Sequence, residues 1–169
     1  MNIYPQPSQS NAADHLIPFA ATMIPQTTMN RKRILIVDDS AIILKTLSMK
    51  LTSSGYEVLT APDGGTAVSL VRRERPDLIL LDISFPPDVA HGGGVAWDGF
   101  LIMNWLRRMD EAKNIPIMII TGAEPEKFKE RAIAAGAIGF FQKPINNEEL
   151  LASIRETIGE APVVPPAAA

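Results

Sequence analysis

Cysteine is absent from the 169-residue chain, and so is any apolar run of the roughly 20 residues that span a bilayer as a helix. The lack of cysteine excludes disulfides, thiolate zinc sites and cysteine nucleophiles, and it suits a reducing compartment. Basic residues form no long run and the net charge is −3, so the chain has no electrostatic footprint for nucleic acid. Because the N-terminal segment also lacks the basic region of a signal peptide, we expect a cytoplasmic protein without nucleic-acid or membrane partners.

Composition divides the chain into three parts. Residues 1–30 hold four prolines, many small polar residues and one charged residue, Asp14, which predicts a flexible N-terminal arm. A short docking motif around Leu16–Phe19 is the alternative for this segment. Residues 161–169 contain only Ala, Pro and Val and predict an extended tail, so we expect the folded domain to span residues 31–160.

Between the two ends, short apolar runs rich in Ile, Leu and Val alternate with segments of helical periodicity. The predicted strands are Arg33–Val37, Tyr56–Thr60, Leu78–Leu81, Ile115–Ile120 and Ile138–Phe141. The apolar pairs that mark the helices are Leu47 with Leu51, Ala67 with Val71, Leu101 with Trp105, and Leu150 with Ile154. Five strand–helix repeats in a row predict an α/β fold, in which right-handed crossovers build an open parallel sheet covered by helices on both faces.

Polar residues follow four of the predicted strands. Asp38 and Asp39 come after the first strand, Asp82 after the third, Thr121 after the fourth and Lys143 after the fifth. Since parallel strands end at the same edge of a sheet, we expect these residues to converge there, where α/β sheets bind ligands. Each residue alone has a structural alternative, because acids and hydroxyls cap helices and a lysine can be a surface charge. Together they predict a functional site.

Three carboxylates gathered at one edge need compensation for their charge. Two like charges about 4 Å apart repel by roughly 4 kcal/mol at an effective dielectric constant near 20. Either one of the carboxyl groups holds a proton or a cation binds to them. A hard divalent ion such as Mg²⁺, with Mn²⁺ as an alternative, suits these oxygen ligands. With Lys143 to pair with one phosphoryl oxygen and Thr121 to donate a hydrogen bond to another, the set predicts phosphoryl chemistry.

Four segments carry a resemblance to a known family. They are ILIVDDS at 34–40, LILLD at 78–82, IITGA at 119–123 and FFQKP at 140–144. In this order they are similar to the motifs of the receiver domain of two-component response regulators, of the stand-alone single-domain type, and the match runs from about Arg31 to Gly159. The resemblance implies a flavodoxin-like (βα)5 fold, a doubly wound parallel sheet with the strand order 2-1-3-4-5.

The resemblance assigns an acceptor residue and a set of metal ligands. Asp82 matches the aspartate that accepts a phosphoryl group from the phosphohistidine of a sensor kinase. Asp39 matches the acid that binds Mg²⁺ directly, and Asp38 matches the acid that usually acts through a water molecule. The backbone carbonyl of Ser84 matches the remaining protein ligand. A protein of this kind catalyses only its own phosphorylation and dephosphorylation.

The other motif residues match the parts of the family that respond to phosphorylation. Thr121 matches the switch hydroxyl, Phe140 the aromatic residue that turns inward as Thr121 moves, and Lys143 the lysine beside the phosphoryl group. The Lys143–Pro144 peptide bond is implied to be cis. The fourth helix, fifth strand and fifth helix, about 124–158, would then signal to a downstream protein, in a monomer or a phosphorylation-dependent homodimer. Alternatively, the chain would pass the phosphoryl group on to a phosphotransfer protein.

The segment after Asp82 departs from the pattern of the family. About nine residues are added there, giving an enlarged loop at about 84–97, and loops tolerate such insertions well. Pro86–Pro87 stiffen the start of the loop, and Gly92–Gly94 leave its middle free to bend. A lid over the site, a contact for the kinase or another partner, and a neutral insertion are the three interpretations of this loop.

Three other functions remain as alternatives to a phosphorylated receiver. The first is a receiver-like scaffold that does not use phosphorylation. The second is a hydrolase of the haloacid dehalogenase type, which also forms an aspartyl-phosphate but normally has a second acid two residues after the nucleophile, where Ser84 stands. The third is a flavodoxin-like nucleotide binder, which needs a phosphate-binding loop after the first strand, where Asp38 and Asp39 would repel phosphate in the absence of a metal.

Overall fold

The structure, a computed structural model, describes residues 31–84 and 99–161 of the chain. Its elements are β1 (Arg33–Val37), α1 (Ala41–Ser53), β2 (Glu57–Ala61), α2 (Gly64–Glu74), β3 (Leu78–Leu81), α3 (Gly99–Arg108), β4 (Ile117–Thr121), α4 (Pro125–Ala134), β5 (Gly139–Gln142) and α5 (Asn147–Ile158). The predicted N-terminal arm at 1–30, the enlarged loop from residue 85 onward and the tail from residue 162 lie outside the described residues.

All the strands are parallel and lie in the order β2-β1-β3-β4-β5, which confirms the predicted fold class and strand order. β3 lies at the centre of the sheet, with β1 on one side and β4 on the other. β1 and β3 pair in register from Ile34 with Leu78 to Val37 with Leu81. The direction of winding reverses between these two strands, so a crevice for ligands is expected at their carboxyl ends.

The strand boundaries differ slightly from the predicted ones. β1 and β3 begin and end as predicted, whereas β2 and β5 are both displaced by one residue toward the C-terminus. β4 begins at Ile117 rather than Ile115, because Pro116 has no N–H to donate to the ladder and the Ile115 amide instead donates to the Ala112 carbonyl at 2.9 Å. At its other end, β4 extends one residue further than predicted, so that Thr121 is the last residue of the strand.

Apolar layers cover both faces of the sheet. On one face, the strands pack against α2, α3 and α4, and on the other face they pack against α1 and α5. In β1, Leu35 and Val37 belong to the first layer and Ile34 and Ile36 to the second, and all of them are fully buried. This double cover explains why the central strands are almost continuously apolar in the sequence.

The apolar pair that marks α3 in the sequence, Leu101 with Trp105, does not form the buried face of this helix. Leu101 is half-buried and Trp105 is 37% exposed, whereas Ile102 and Leu106 are fully buried. The helix is apolar on more than one side, so its sequence offers overlapping stripes of i, i+4 spacing, and packing against the sheet selects among them. Trp105 instead contacts Arg72, whose guanidinium carbon lies 5.4 Å from the centre of the indole ring.

Side chains at the start of the helices cap three of them. Ser40, Asp63 and Asn146 accept hydrogen bonds from first-turn amides of α1, α2 and α5. No helix within residues 31–84 and 99–161 combines the length and the apolarity that a membrane crossing requires.

Candidate functional site

The polar residues that were expected to converge lie together at the carboxyl end of the sheet. Asp38 and Asp82 directly follow β1 and β3, Thr121 ends β4, and Lys143 follows β5. Asp38, Asp82 and Thr121 are 0%, 3% and 0% exposed, and they are the buried polar residues of the described part of the chain. Buried polar groups cost free energy unless they are paired, so the contacts of these residues define the chemistry of the site.

Lys143 bridges the two buried carboxylates. Its Nζ lies 2.5 Å from Asp38 Oδ2 and 2.6 Å from Asp82 Oδ2, and its side chain is 19% exposed. The backbone holds the lysine in place, because its amide donates to the Thr121 carbonyl at 2.8 Å. The Lys143–Pro144 peptide bond is cis, the isomer that the resemblance implies. One ammonium group therefore forms ion pairs with two carboxylates that follow different strands.

Burial and ion pairing act on these groups in opposite directions. Burial raises the pKa of the Asp38 carboxyl above its usual value, although hydrogen bonds from Lys143 and the Ser40 amide lower it in part. For Lys143, burial is the largest influence and lowers the pKa, but the hydrogen bonds to Asp38 and Asp82 and their charges outweigh it, so the net pKa is raised. Lys143 therefore remains protonated at neutral pH, as a fixed cation beside the Asp82 carboxylate.

Asp39 adds a third, exposed carboxylate to this edge of the sheet. One carboxylate oxygen from each of Asp38, Asp39 and Asp82 can be chosen so that all of them lie within 4.8 Å of one another. Lys143 supplies one positive charge against these three acids, so negative charge is in excess. A cluster of carboxylate oxygens, open to solvent on the side of Asp39, fits a hard divalent cation such as Mg²⁺ or Mn²⁺.

Helix capping, the structural alternative for these residues, does not account for them. Ser40 is the capping residue of α1, and its hydroxyl accepts from the Ile43 amide at 3.4 Å. Asp38 Oδ1 accepts from the Ser40 amide at 2.9 Å, a contact that fixes the carboxylate at the end of β1. The capping position of α4 is Glu124 rather than Thr121. Asp38 and Thr121 therefore place their polar groups at the carboxyl end of the sheet without capping a helix.

Ser84 joins the acceptor candidate to Thr121, which the sequence did not indicate. Its amide donates to Asp82 Oδ1 at 2.7 Å, and its side-chain oxygen lies 2.6 Å from Thr121 Oγ1. Thr121 Oγ1 also accepts from the Ala123 amide at 3.2 Å. The resemblance assigns a role only to the backbone carbonyl of Ser84, and a hydroxyl pair between segments far apart in the chain leaves no local pattern in the sequence.

Phe140 and Phe141 of β5 point to opposite faces of the sheet. Phe141 is buried in the layer formed with α1 and α5. Phe140 is half-buried and packs against the layer formed with α2, α3 and α4, and its backbone pairs with Ile119 of β4. Phe140 therefore lies at the boundary between this apolar layer and solvent.

Gly99, the first residue of α3, lies against the backbone of the acceptor candidate. A Cβ atom at this position would stand 2.4 Å from the Asp82 carbonyl oxygen and 2.4 Å from Ile83 Cα. Real Cβ contacts are not this short, and neither obstacle is a flexible side chain. Any side chain at residue 99 therefore requires a shift of α3 or of the backbone that carries Asp82.

We expect Gly99→Ala to destabilise the protein by about 2 kcal/mol, because overpacking a close-packed site typically costs about 1–3 kcal/mol. Urea denaturation followed by circular dichroism measures this change. Gly122→Ala is the matched control, since a Cβ there meets nothing within 4 Å and the free energy of unfolding should change by less than about 0.5 kcal/mol. Equal stability of the Gly99 and Gly122 variants would contradict the close approach.

Residues 34–155 match the family described as the response regulator receiver domain. The chain is 35% identical over 126 residues to protein PilH of Pseudomonas aeruginosa, and the aligned part covers 75% of this chain and 97% of PilH. It is 31% identical over 130 residues to the polar-differentiation response regulator DivK of Brucella anthropi, covering 77% of this chain and 98% of DivK. It is 36% identical over 123 residues to the response regulator PleD of Caulobacter vibrioides, but it spans only 25% of PleD.

Solved structures share the fold. The chemotaxis protein CheY4 of Vibrio cholerae superposes with a TM-score of 0.65 at 34% identity, covering 75% of this chain and 98% of CheY4. The receiver domain of the sensor histidine kinase PA1611 of Pseudomonas aeruginosa superposes with a TM-score of 0.65 at 27% identity, covering 77% and 99%, and it holds a magnesium ion in its active-site cleft. The family match over most of the folded chain, the relatives matched almost end to end and the shared sheet topology together place this chain in the receiver-domain family of two-component response regulators.

Proposed function

We propose that this chain is a phosphorylation-dependent switch that accepts a phosphoryl group on Asp82 from a sensor histidine kinase or a phosphotransfer protein. The observation that carries the proposal is the setting of the Asp82 carboxylate. It is 3% exposed, it contacts the Lys143 ammonium at 2.6 Å, and it belongs to the cluster of three acids. A buried acid between a fixed cation and a divalent-ion site suits phosphoryl transfer, in which positioning and neutralisation of charge do most of the catalysis.

The proposed reaction is a displacement at phosphorus. An oxygen of the Asp82 carboxylate attacks the phosphorus of a phosphohistidine, a P–O bond forms, the P–N bond breaks, and the imidazole leaves with the electron pair and takes up a proton. Lys143 lies where it can pair with an oxygen of the transferred group, and Thr121 offers a hydroxyl on the neighbouring strand end. Attack of water on the same phosphorus would later return Asp82 to its free carboxylate.

Asp38, Asp39, Asp82 and the backbone carbonyl of Ser84 are the proposed ligands of Mg²⁺, with Mn²⁺ as a substitute. When bound, the ion neutralises negative charge on the carboxylates and on the phosphoryl oxygens. The spacing of the carboxylate oxygens within 4.8 Å supports this assignment. The magnesium ion in the cleft of the related PA1611 receiver supports it as well.

The proposed output is a change of protein-binding surface. Thr121 and Phe140 are the proposed switch residues, and the surface that reads them is formed by α4, β5 and α5. Ile133 of α4 and Ile138, next to β5, are 54% and 53% exposed in this region and offer apolar area to a partner. A downstream protein or a second copy of the chain is the proposed partner.

Incubation of the whole chain with acetyl phosphate and Mg²⁺ tests the proposal. Intact mass spectrometry is expected to find one added phosphoryl group per chain, which hydroxylamine removes and which does not form when a chelator withholds the metal. A chain that gains no phosphoryl group would act as a scaffold, contrary to the proposal. Continuous release of phosphate from a phosphate ester would point instead to a hydrolase.

A further inference from the structure

The hydroxyl pair, Ser84 Oγ and Thr121 Oγ1, is a short contact between the loop after β3 and the end of β4. The two oxygens are 2.6 Å apart, and Ser84 is anchored opposite Thr121 because its amide donates to Asp82 Oδ1 at 2.7 Å. Ser84 is exposed, whereas Thr121 is fully buried. The pair therefore joins an exposed residue to a fully buried one.

Burial decides which hydroxyl donates to the other. A hydroxyl has one proton to donate and two lone pairs to accept with, and a buried O–H group needs an acceptor. Thr121 Oγ1 already accepts from the Ala123 amide at 3.2 Å, and among the described residues Ser84 Oγ is the oxygen within reach of its own proton. Ser84 can give its own proton to water. The distance between the two oxygens is the same for either direction, and donation from Thr121 to Ser84 is the direction that satisfies both hydroxyls.

We propose that Ser84 is a positioning residue that holds the Thr121 hydroxyl in its resting orientation and competes with the phosphoryl group on Asp82 for the Thr121 proton. This inference rests on the proposed function of Asp82. A phosphoryl group brings three strongly accepting oxygens, and hydrogen bonds to charged acceptors are roughly twice as strong as neutral ones. Since Thr121 has one proton, it must leave Ser84 in order to reach the phosphoryl group. Ser84 thereby opposes the switch and sets how readily it engages.

Ser84→Ala isolates this role, because it removes the hydroxyl and keeps both the amide that contacts Asp82 and the backbone carbonyl. Beryllofluoride, which adds to a carboxylate as a mimic of the phosphoryl group, serves as the probe in the presence of Mg²⁺. We expect the variant to bind beryllofluoride about fivefold more tightly than the natural chain, as follows from losing a resting-state hydrogen bond of about 1 kcal/mol.

A double-mutant cycle separates positioning from a general structural effect. In a Thr121→Ala background, Ser84→Ala should no longer change the affinity for beryllofluoride, because no proton is left to compete for. Ser84→Thr, which restores a hydroxyl at this exposed position, should return the affinity toward that of the natural chain.

The outcomes distinguish the inference from the proposed function. Unchanged or weaker binding by Ser84→Ala, or the same gain in the Thr121→Ala background, overturns the role of Ser84 and leaves phosphorylation of Asp82 intact. A natural chain that takes up no beryllofluoride at all, with Mg²⁺ present, overturns both.

Discussion

Asp82→Asn is expected to abolish phosphorylation of the chain while leaving it folded. The side-chain amide has nearly the size of the carboxylate but lacks the charged oxygen that attacks phosphorus. The fold should persist, because Lys143 retains its contact with Asp38 and the Ser84 amide can still donate to the carbonyl oxygen of the asparagine. Intact mass spectrometry after incubation with acetyl phosphate and Mg²⁺ measures the first effect, and thermal unfolding measures the second.

Asp110→Asn is the matched control for this substitution. Asp110 is an exposed acid that pairs with Lys113 far from the edge of the sheet, so its variant should accept one phosphoryl group, as the natural chain does. A phosphoryl group of equal yield on both variants would mean that another residue is the acceptor. Loss in both variants would mean that the assay reports stability rather than chemistry.

The sequence was sufficient to predict the sheet and most of the residues at its edge. Strands covered on both faces leave continuous apolar runs, and residues directly after such strands must meet at one end of a parallel sheet. Asp38, Asp82, Thr121 and Lys143 were located in this way, and the sheet brings them together. In a parallel sheet, the apolar periodicity of the sequence therefore predicts where each strand ends and which residues meet at that end.

Contacts set by side-chain geometry could not be predicted in the same way. Nothing in the sequence distinguishes a lysine that bridges Asp38 and Asp82 from one that contacts a single acid. The Ser84–Thr121 contact joins residues 37 positions apart, and its existence depends on a turn after β3 that only the folded chain defines. The buried face of α3 could not be predicted from periodicity either, because this helix is apolar on more than one side and packing against its neighbours fixes its rotation.

Arg107 is a further residue that the sequence did not single out. Its guanidinium group donates to three backbone carbonyls, those of Lys113, Ile115 and Gly136, at 2.8, 3.0 and 2.6 Å. The side chain thus fastens the end of α3 to the loop before β4 and to the turn before β5. Because α3 also begins against the backbone of Asp82 through Gly99, this helix contacts the acceptor at one end and the turn between α4 and β5 at the other.

Lys143→Met is expected to destabilise the natural fold by about 3 kcal/mol at neutral pH, since removing one partner of a buried ion pair typically costs about 3–5 kcal/mol and this lysine is not fully buried. The substitution keeps much of the side chain but leaves the carboxylates of Asp38 and Asp82, 0% and 4% exposed, without their cation. Urea denaturation at neutral pH, with a chelator present, measures the loss. Mg²⁺ should restore part of it by binding the folded state.

The pH dependence of this loss follows from the carboxyl groups. Burial already raises the pKa of Asp38 in the folded state, and without Lys143 that pKa rises further. A carboxyl whose pKa is higher in the folded than in the unfolded chain is stabilised there when protonated, so its ionisation opposes folding as the pH rises. The stability deficit of Lys143→Met should therefore be largest at neutral pH and shrink as the pH falls through the raised pKa.

Lys129→Met, a change at an exposed lysine of α4, should give a deficit below about 0.5 kcal/mol at neutral pH. A Lys143→Met deficit that is independent of pH would attribute the loss to packing instead of charge.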